Sequence, residues 1–109
     1  MPSHEMLFWL AVGHALADFP LQGPFLSEAK NRNTAIGKSF WHWALPAHGA
    51  IHGGAVALIT GSVWLGIAEA YAHMAIDYAK CEGWLSVDAD QALHAACKVL
   101  WAAIALGWL

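Results

Sequence analysis

His73-Met-Ala-Ile-Asp77-Tyr-Ala-Lys80 sets an imidazole and a carboxylate four residues apart inside an otherwise apolar segment. At helical periodicity His73 and Asp77 project from one face. The spacing recurs in three other segments, as His14 with Asp18, His48 with His52, and Asp90 with His94. One such pair reads as a buried histidine with a satisfied hydrogen bond. Four pairs, each in its own apolar segment, point to a shared polar site, because titratable groups in an apolar interior are costly unless they pair or bind a metal.

Outward from these pairs the chain divides into four predicted helices. The first runs from Met6 to about Gln22, with Pro20 marking its last turn and Gln22 continuing the stripe of His14 and Asp18. A polar connection follows from Gly23 to about Phe40, carrying Lys30, Arg32 and Lys38, with room for a short helix from Pro24 to Lys30. The second helix spans Trp41 to Thr60, where Gly49, Gly53 and Gly54 beside the histidines allow a neighbouring helix to approach closely. Val63 to about Ala79 forms the third, its stripe extending back to Glu69. Asp88 is the expected cap of the fourth, which runs to Leu109 with a stripe of Asp90, His94 and Lys98. Short links at Gly61-Ser62 and Cys81 to Val87 favour an all-α, antiparallel up-down four-helix bundle.

That topology places the pairs at one level. His14 and Asp18 end a descending helix, His48 and His52 begin a rising one, His73 and Asp77 end the next, and Asp90 and His94 begin the last. Glu69 and Lys98 lie one turn deeper on antiparallel helices and are positioned for a buried ion pair.

The 109 residues suffice for one domain, residues 1–109, and not for two. A net charge of -3 with five basic residues argues against nucleic acid as a partner, which requires a basic footprint. Cys81 and Cys97 have no zinc-knuckle spacing and read as free thiols. The N-terminus lacks the basic flank and cleavage site of a signal peptide, so it is expected to remain as a helix.

A hydrophobic content of 59%, a charged content of 12% and a mean hydropathy of +0.46 lean towards a membrane class. Each helical segment approaches the ~20 residues that cross a hydrocarbon core. Trp41, Trp43 and Trp84 then mark one interface, and Trp9, Trp64 and Trp108 the other. Lys30, Arg32, Lys38 and Lys80 fall at the first, which the positive-inside rule assigns to the cytoplasm. The expectation is a multi-pass protein of the bacterial inner membrane with both termini outside the cytoplasm, membrane lipid around it, and its site one to two turns inside the cytoplasmic boundary.

Five histidines and three aspartates at one level exceed what one zinc requires. The candidate ligands are His14, Asp18, His48, His52, His73, Asp77, Asp90 and His94. Either two metals, or one metal with aspartates orienting the imidazoles, would use them all. Imidazole with carboxylate suits a divalent transition metal, zinc first among them. Asp18, Asp77 and Asp90 are candidate proton acceptors, and Lys80 and Gln22, assisted by Lys30 or Arg32, are placed to hold a phosphate or carbonyl.

The segments His14-Ala-Leu-Ala-Asp18-Phe-Pro-Leu-Gln22, His48-Gly-Ala-Ile-His52, His73 to Lys80 and Asp90-Gln91-Ala-Leu-His94 together resemble an uncharacterised family of small bacterial and bacteriophage membrane proteins, classed only as a domain of unknown function. A weaker likeness is to inner-membrane metal-dependent hydrolases. The resemblance implies that these positions act as a unit and names no reaction. The leading expectation is a metal-dependent hydrolase acting on a lipid or lipid-linked substrate at the cytoplasmic interface. The alternatives are proton or metal-ion transport, and a non-catalytic bacterial or phage membrane interaction protein.

Overall fold

Serines and glycines punctuate the chain where helices must start and stop. Ser62 Oγ accepts from the Leu65 amide at 3.2 Å and Ser86 Oγ from the Ala89 amide at 3.0 Å, each satisfying an amide that has no partner inside its own helix. Gly61 ends the preceding helix at φ 75°, a left-handed conformation that costs glycine little. The computed structural model describes residues 1–109 as five helices without strands: α1 (Ser3–Asp18), α2 (Gly23–Ala29), α3 (Gly37–Thr60), α4 (Val63–Cys81) and α5 (Val87–Ala105).

The all-α expectation holds. α1 and α4 each pack on α3 and α5, closing a ring of four long helices, while the short α2 lies against α3. α1 stops at Asp18 rather than Gln22, because Pro20 has no amide proton to extend the ladder. α2 starts with Pro24 in its first turn, where a missing amide proton is harmless. α3 begins four residues before Trp41, where Thr34 Oγ1 accepts from the Gly37 amide at 2.9 Å. The cap of α5 is Ser86 rather than Asp88, and Asp88 sits in the first turn, where a negative charge is favourable.

α3 and α4 approach closely because both present glycine. A Cβ on Gly53 would stand 2.5 Å from the Gly66 carbonyl oxygen, and one on Gly66 would stand 2.6 Å from that of Gly53. Gly49 likewise faces Met74, whereas Gly54 faces open space and has no part in the contact. Met6, Leu10, Val56, Leu65, Trp101 and Ala102 form the apolar core. All six lie towards one end of the bundle, where α1 and α4 begin and α3 and α5 finish.

No helix is long and apolar enough to cross a membrane, which overturns the transmembrane reading of the bundle and the multi-pass inner-membrane placement with outward termini. The reason lies in the segments themselves. α1 has only 16 residues. α4 carries Glu69, Asp77 and Lys80, and α5 carries Asp88, Asp90 and Lys98. α3 reaches 24 residues, but His48, His52, Pro46 and its glycines dilute the apolar content. The tryptophans expected in two belts include exposed side chains at Trp43, Trp64 and Trp84.

Candidate metal centre

The helical stripes of α1, α3, α4 and α5 converge in the other half of the bundle. His48, His52, Glu69, His73, Asp77, Asp90, His94 and Lys98 are all buried there, and Asp18 is partly so. Placing histidine or aspartate at i and i+4 puts two donors on one buried stripe of each helix. Four stripes facing one axis then bring together residues as distant in sequence as Asp18 and His94.

One grouping centres on Asp18 Oδ1. The Nε2 atoms of His52, His48 and His73 lie 2.8, 3.2 and 3.9 Å from it. These values bracket the ~3.3 Å separation between ligand atoms of a tetrahedral zinc with bonds near 2.0 Å. Only His52 has hydrogen-bond geometry to Asp18. His48 Nε2 and His73 Nε2 are fully buried without a hydrogen-bond partner, an expensive state for a polar atom. A further grouping is Asp77, Asp90 and His94, and another is Glu69, His73 and His94. Asp18, His48, His52 and His73 therefore fit a zinc-like ion on both ligand type and spacing.

The imidazoles are stacked. Ring centroids of His52 and His73 are 3.6 Å apart, and those of His73 and His94 are 4.1 Å apart. Burial is the main cause that lowers His52, His73 and His94 each to about 4, so all three are neutral near pH 7, the form that binds metal. Burial alone would raise the Asp18 carboxyl. The close imidazoles of His14, His48 and His52 outweigh it and hold Asp18 well below the usual carboxylate range. Asp90 is pushed up, by burial first and by the neighbouring Asp77 charge second.

Around these groups lies a supporting layer. Lys98 Nζ donates to Glu69 Oε1, and Trp101 Nε1 donates to Glu69 Oε2 at 2.7 Å. Burial would raise Glu69, but interactions with His73, Lys98 and Trp101 bring it down to about 2. Its Oε1 stands 3.6 Å from His73 Nδ1, just outside hydrogen-bond reach and on the side of the ring away from Asp18. A carboxylate there orients a ligating imidazole.

The remaining expected residues take different places. His14 is peripheral, with Nε2 3.1 Å from Asp18 Oδ2 and 3.2 Å from Gln91 Oε1. Lys80 and Gln22 line a cleft of about 190 Å³ that Asp18, Lys30, Asp77 and Asp90 also border. Arg32 turns away to pair with Glu82 and lies over the Tyr78 ring, so it does not reach the cleft. Cys97 is free and belongs to none of the groupings.

Three participants were not assigned these roles from sequence. Lys30 is buried and its Nζ stands 2.9 Å from Asp77 Oδ2 while donating to Gln22 Oε1. Gln91 Nε2 donates to Asp90 Oδ2 at 3.1 Å and its Oε1 meets His14, linking α1 to α5. Trp101 caps Glu69. The signal for Gln91 is its place beside Asp90, whereas for Lys30 no spacing rule spans the turn between α1 and α2. Compared with family models, curated proteins and solved structures, the chain matches none.

Proposed function

We propose that this protein is a metal-dependent hydrolase, with zinc held by Asp18, His48, His52 and His73. The observation that carries the reading is the convergence of three buried imidazole Nε2 atoms within 2.8–3.9 Å of one carboxylate oxygen, two of them without any hydrogen-bond partner. A transition metal held there would supply a water of pKa about 7 and would polarise a carbonyl or phosphoryl oxygen. The chain's own residues do the rest. Asp77 and Asp90 line the cleft beside these ligands and are placed to take a proton. Lys80 and Lys30 offer ammonium groups to a negative substrate head, and Gln22 offers an amide. Glu69, fixed by Lys98 and Trp101, stands 3.6 Å from His73 Nδ1, where a small approach would let it orient the ring.

A lipid or lipid-linked substrate is supported by a second cleft of about 260 Å³ between α1 and α5. Leu7, Ala11, Ala95 and Val99 line it, and His14 and Gln91 form its border with the site. An apolar chain fits there with its polar head at the metal ligands. The resemblance to small bacterial and phage proteins adds that the four histidine and aspartate segments act together. An ion-conducting role has less support, because the polar track ends at Glu69 and Lys98 and the apolar core closes the bundle beyond them.

The test is elemental analysis of protein purified without chelator, paired with hydrolysis of chromogenic phosphate and acyl esters of increasing chain length. About one tightly held zinc per chain, lost in His52→Ala, and turnover that disappears with it, would uphold the reading. Wild-type protein that neither retains nor takes up zinc would overturn it.

A further inference from the structure

The aspartates beside the zinc ligands are too many and too buried for a proton acceptor alone. Asp77 is 3% and Asp90 4% exposed, and His94, four residues after Asp90, is 2% exposed. Two ionised carboxylates side by side in an interior repel each other and lose their hydration, so such pairs require a cation or a shared proton. Lys30 is the only cation within salt-bridge distance, and it contacts Asp77 alone. Asp90 Oδ2 accepts from Gln91, but Asp90 Oδ1 is fully buried without a donor, 3.4 Å from His94 Nε2. That separation again matches two ligand atoms on one ion.

Resting on the zinc reading above, we infer that the centre holds two cations, the second bound by Asp77, Asp90 and His94 next to the zinc ligands. Asp77 Oδ2 lies 3.6 Å from His48 Nε2 and 3.8 Å from His73 Nε2, which makes this carboxylate the common wall of both sites. The two ligand sets differ in hardness. Three imidazoles and one carboxylate select zinc, while two carboxylates and one imidazole favour a harder ion such as Mn²⁺. Asp77 and Asp90 then act as ligands in addition to bordering the cleft. Paired cations suit in-line displacement at a phosphoryl group, whose attacking and leaving oxygens they stabilise together. The substrate class is therefore a phosphate ester, its charge met also by Lys80 in the cleft through which the second ion enters.

The experiment strips the full chain of metal, restores one equivalent of Zn²⁺, and titrates Mn²⁺ while following the free Mn²⁺ signal by electron paramagnetic resonance. One further Mn²⁺ per chain is expected in the wild type. Loss of an outer partner of a metal ligand costs about 10–100-fold in affinity, so Asp90→Asn, which removes a direct ligand, weakens Mn²⁺ binding by at least tenfold and leaves zinc at one per chain. Asp77→Asn weakens both ions. Helicity by circular dichroism confirms that each variant is folded. Wild-type protein that takes up zinc but no Mn²⁺, or Asp90→Asn binding Mn²⁺ as the wild type does, would overturn the second site while leaving the first intact. Failure to bind zinc, with Mn²⁺ uptake still sensitive to Asp90→Asn, would sink the zinc reading and keep the second site.

Discussion

Leu10, Val56, Leu65 and Trp101 fill one end of the bundle, while one to two turns along the same four helices His14, His52, His73 and His94 fill the other. Both ends are buried by the same helices, yet they are held differently. At the apolar end, burial itself is stabilising, roughly 25 cal/mol for each Å² of apolar surface withdrawn from water. At the polar end, burial costs free energy for every carboxylate and imidazole, and only mutual hydrogen bonds or bound cations offset it. The proposed metal centre thus lies at the end whose side chains contribute least to folding, and the apolar core packs the same four helices beside it. The boundary is Glu69, whose partners Lys98 and Trp101 belong one to each side.

Breaking that boundary should have the largest effect. Lys98→Ala leaves Glu69 buried without its cation, which typically costs about 3–5 kcal/mol. The double variant Glu69→Gln, Lys98→Met removes both charges and should recover most of that loss. Urea unfolding of the wild type and both variants decides the matter. Near-equal stability of the two variants would mean that the pair is not the junction described here.

Next come substitutions confined to one end. Leu10→Ala should cost about 2–5 kcal/mol, as expected for a fully buried leucine, without changing zinc affinity of the folded protein. His52→Ala should abolish tight zinc binding with little change in the unfolding free energy of the metal-free chain. Chelator supplies the complementary measurement: a ligand at 100 times its Kd stabilises by about 2.7 kcal/mol, so stripping zinc should lower the Tm of wild type and leave His52→Ala unmoved. A chelator effect of equal size in both proteins would show that the ions are not held by His52.

Glycine contacts test how far the two ends are independent. Gly53→Ala places a methyl 2.5 Å from the Gly66 carbonyl oxygen, and backbone on both sides leaves no flexible side chain to yield. Overpacking of this kind costs about 1–3 kcal/mol. Gly54→Ala, one residue further along, meets nothing within 4 Å and should match the wild type or exceed it slightly. Because Gly53 adjoins His52, its alanine variant should also weaken zinc binding, which Gly54→Ala should not.

Much of this arrangement was legible in the chain. The i, i+4 spacing of histidine and aspartate named the four stripes, and short links at Gly61-Ser62 and Cys81 to Val87 made the long helices antiparallel. Both features depend on local geometry, which sequence encodes directly. The membrane reading failed because whole-chain hydropathy averages over the very stripes that matter: three charged residues in each of α4 and α5, and two buried histidines with Pro46 in α3, remove the continuous apolar run that a span requires. The pairing of Lys30 with Asp77 was not legible for a different reason. It depends on how α2 folds back after Pro20, a tertiary outcome with no periodic signal.

The smallest effect compares the two helix caps, one at each end. Ser62→Ala and Ser86→Ala each remove a side-chain acceptor for an otherwise unpaired amide and should each cost about 1 kcal/mol. Their consequences for the site should differ. Ser62 starts α4 two turns and more from His73, with Leu65 of the apolar core between them. Ser86 starts α5 one turn from Asp90, whose amide donates to the Ser86 carbonyl at 2.9 Å. Fraying of that first turn loosens Asp90 directly, so Ser86→Ala should weaken Mn²⁺ binding several-fold while Ser62→Ala leaves it alone. Equal stability losses with only the Ser86 variant changing metal affinity would show that the apolar end holds the scaffold and the polar end holds the ions; a change in both would mean that the four helices respond as one body.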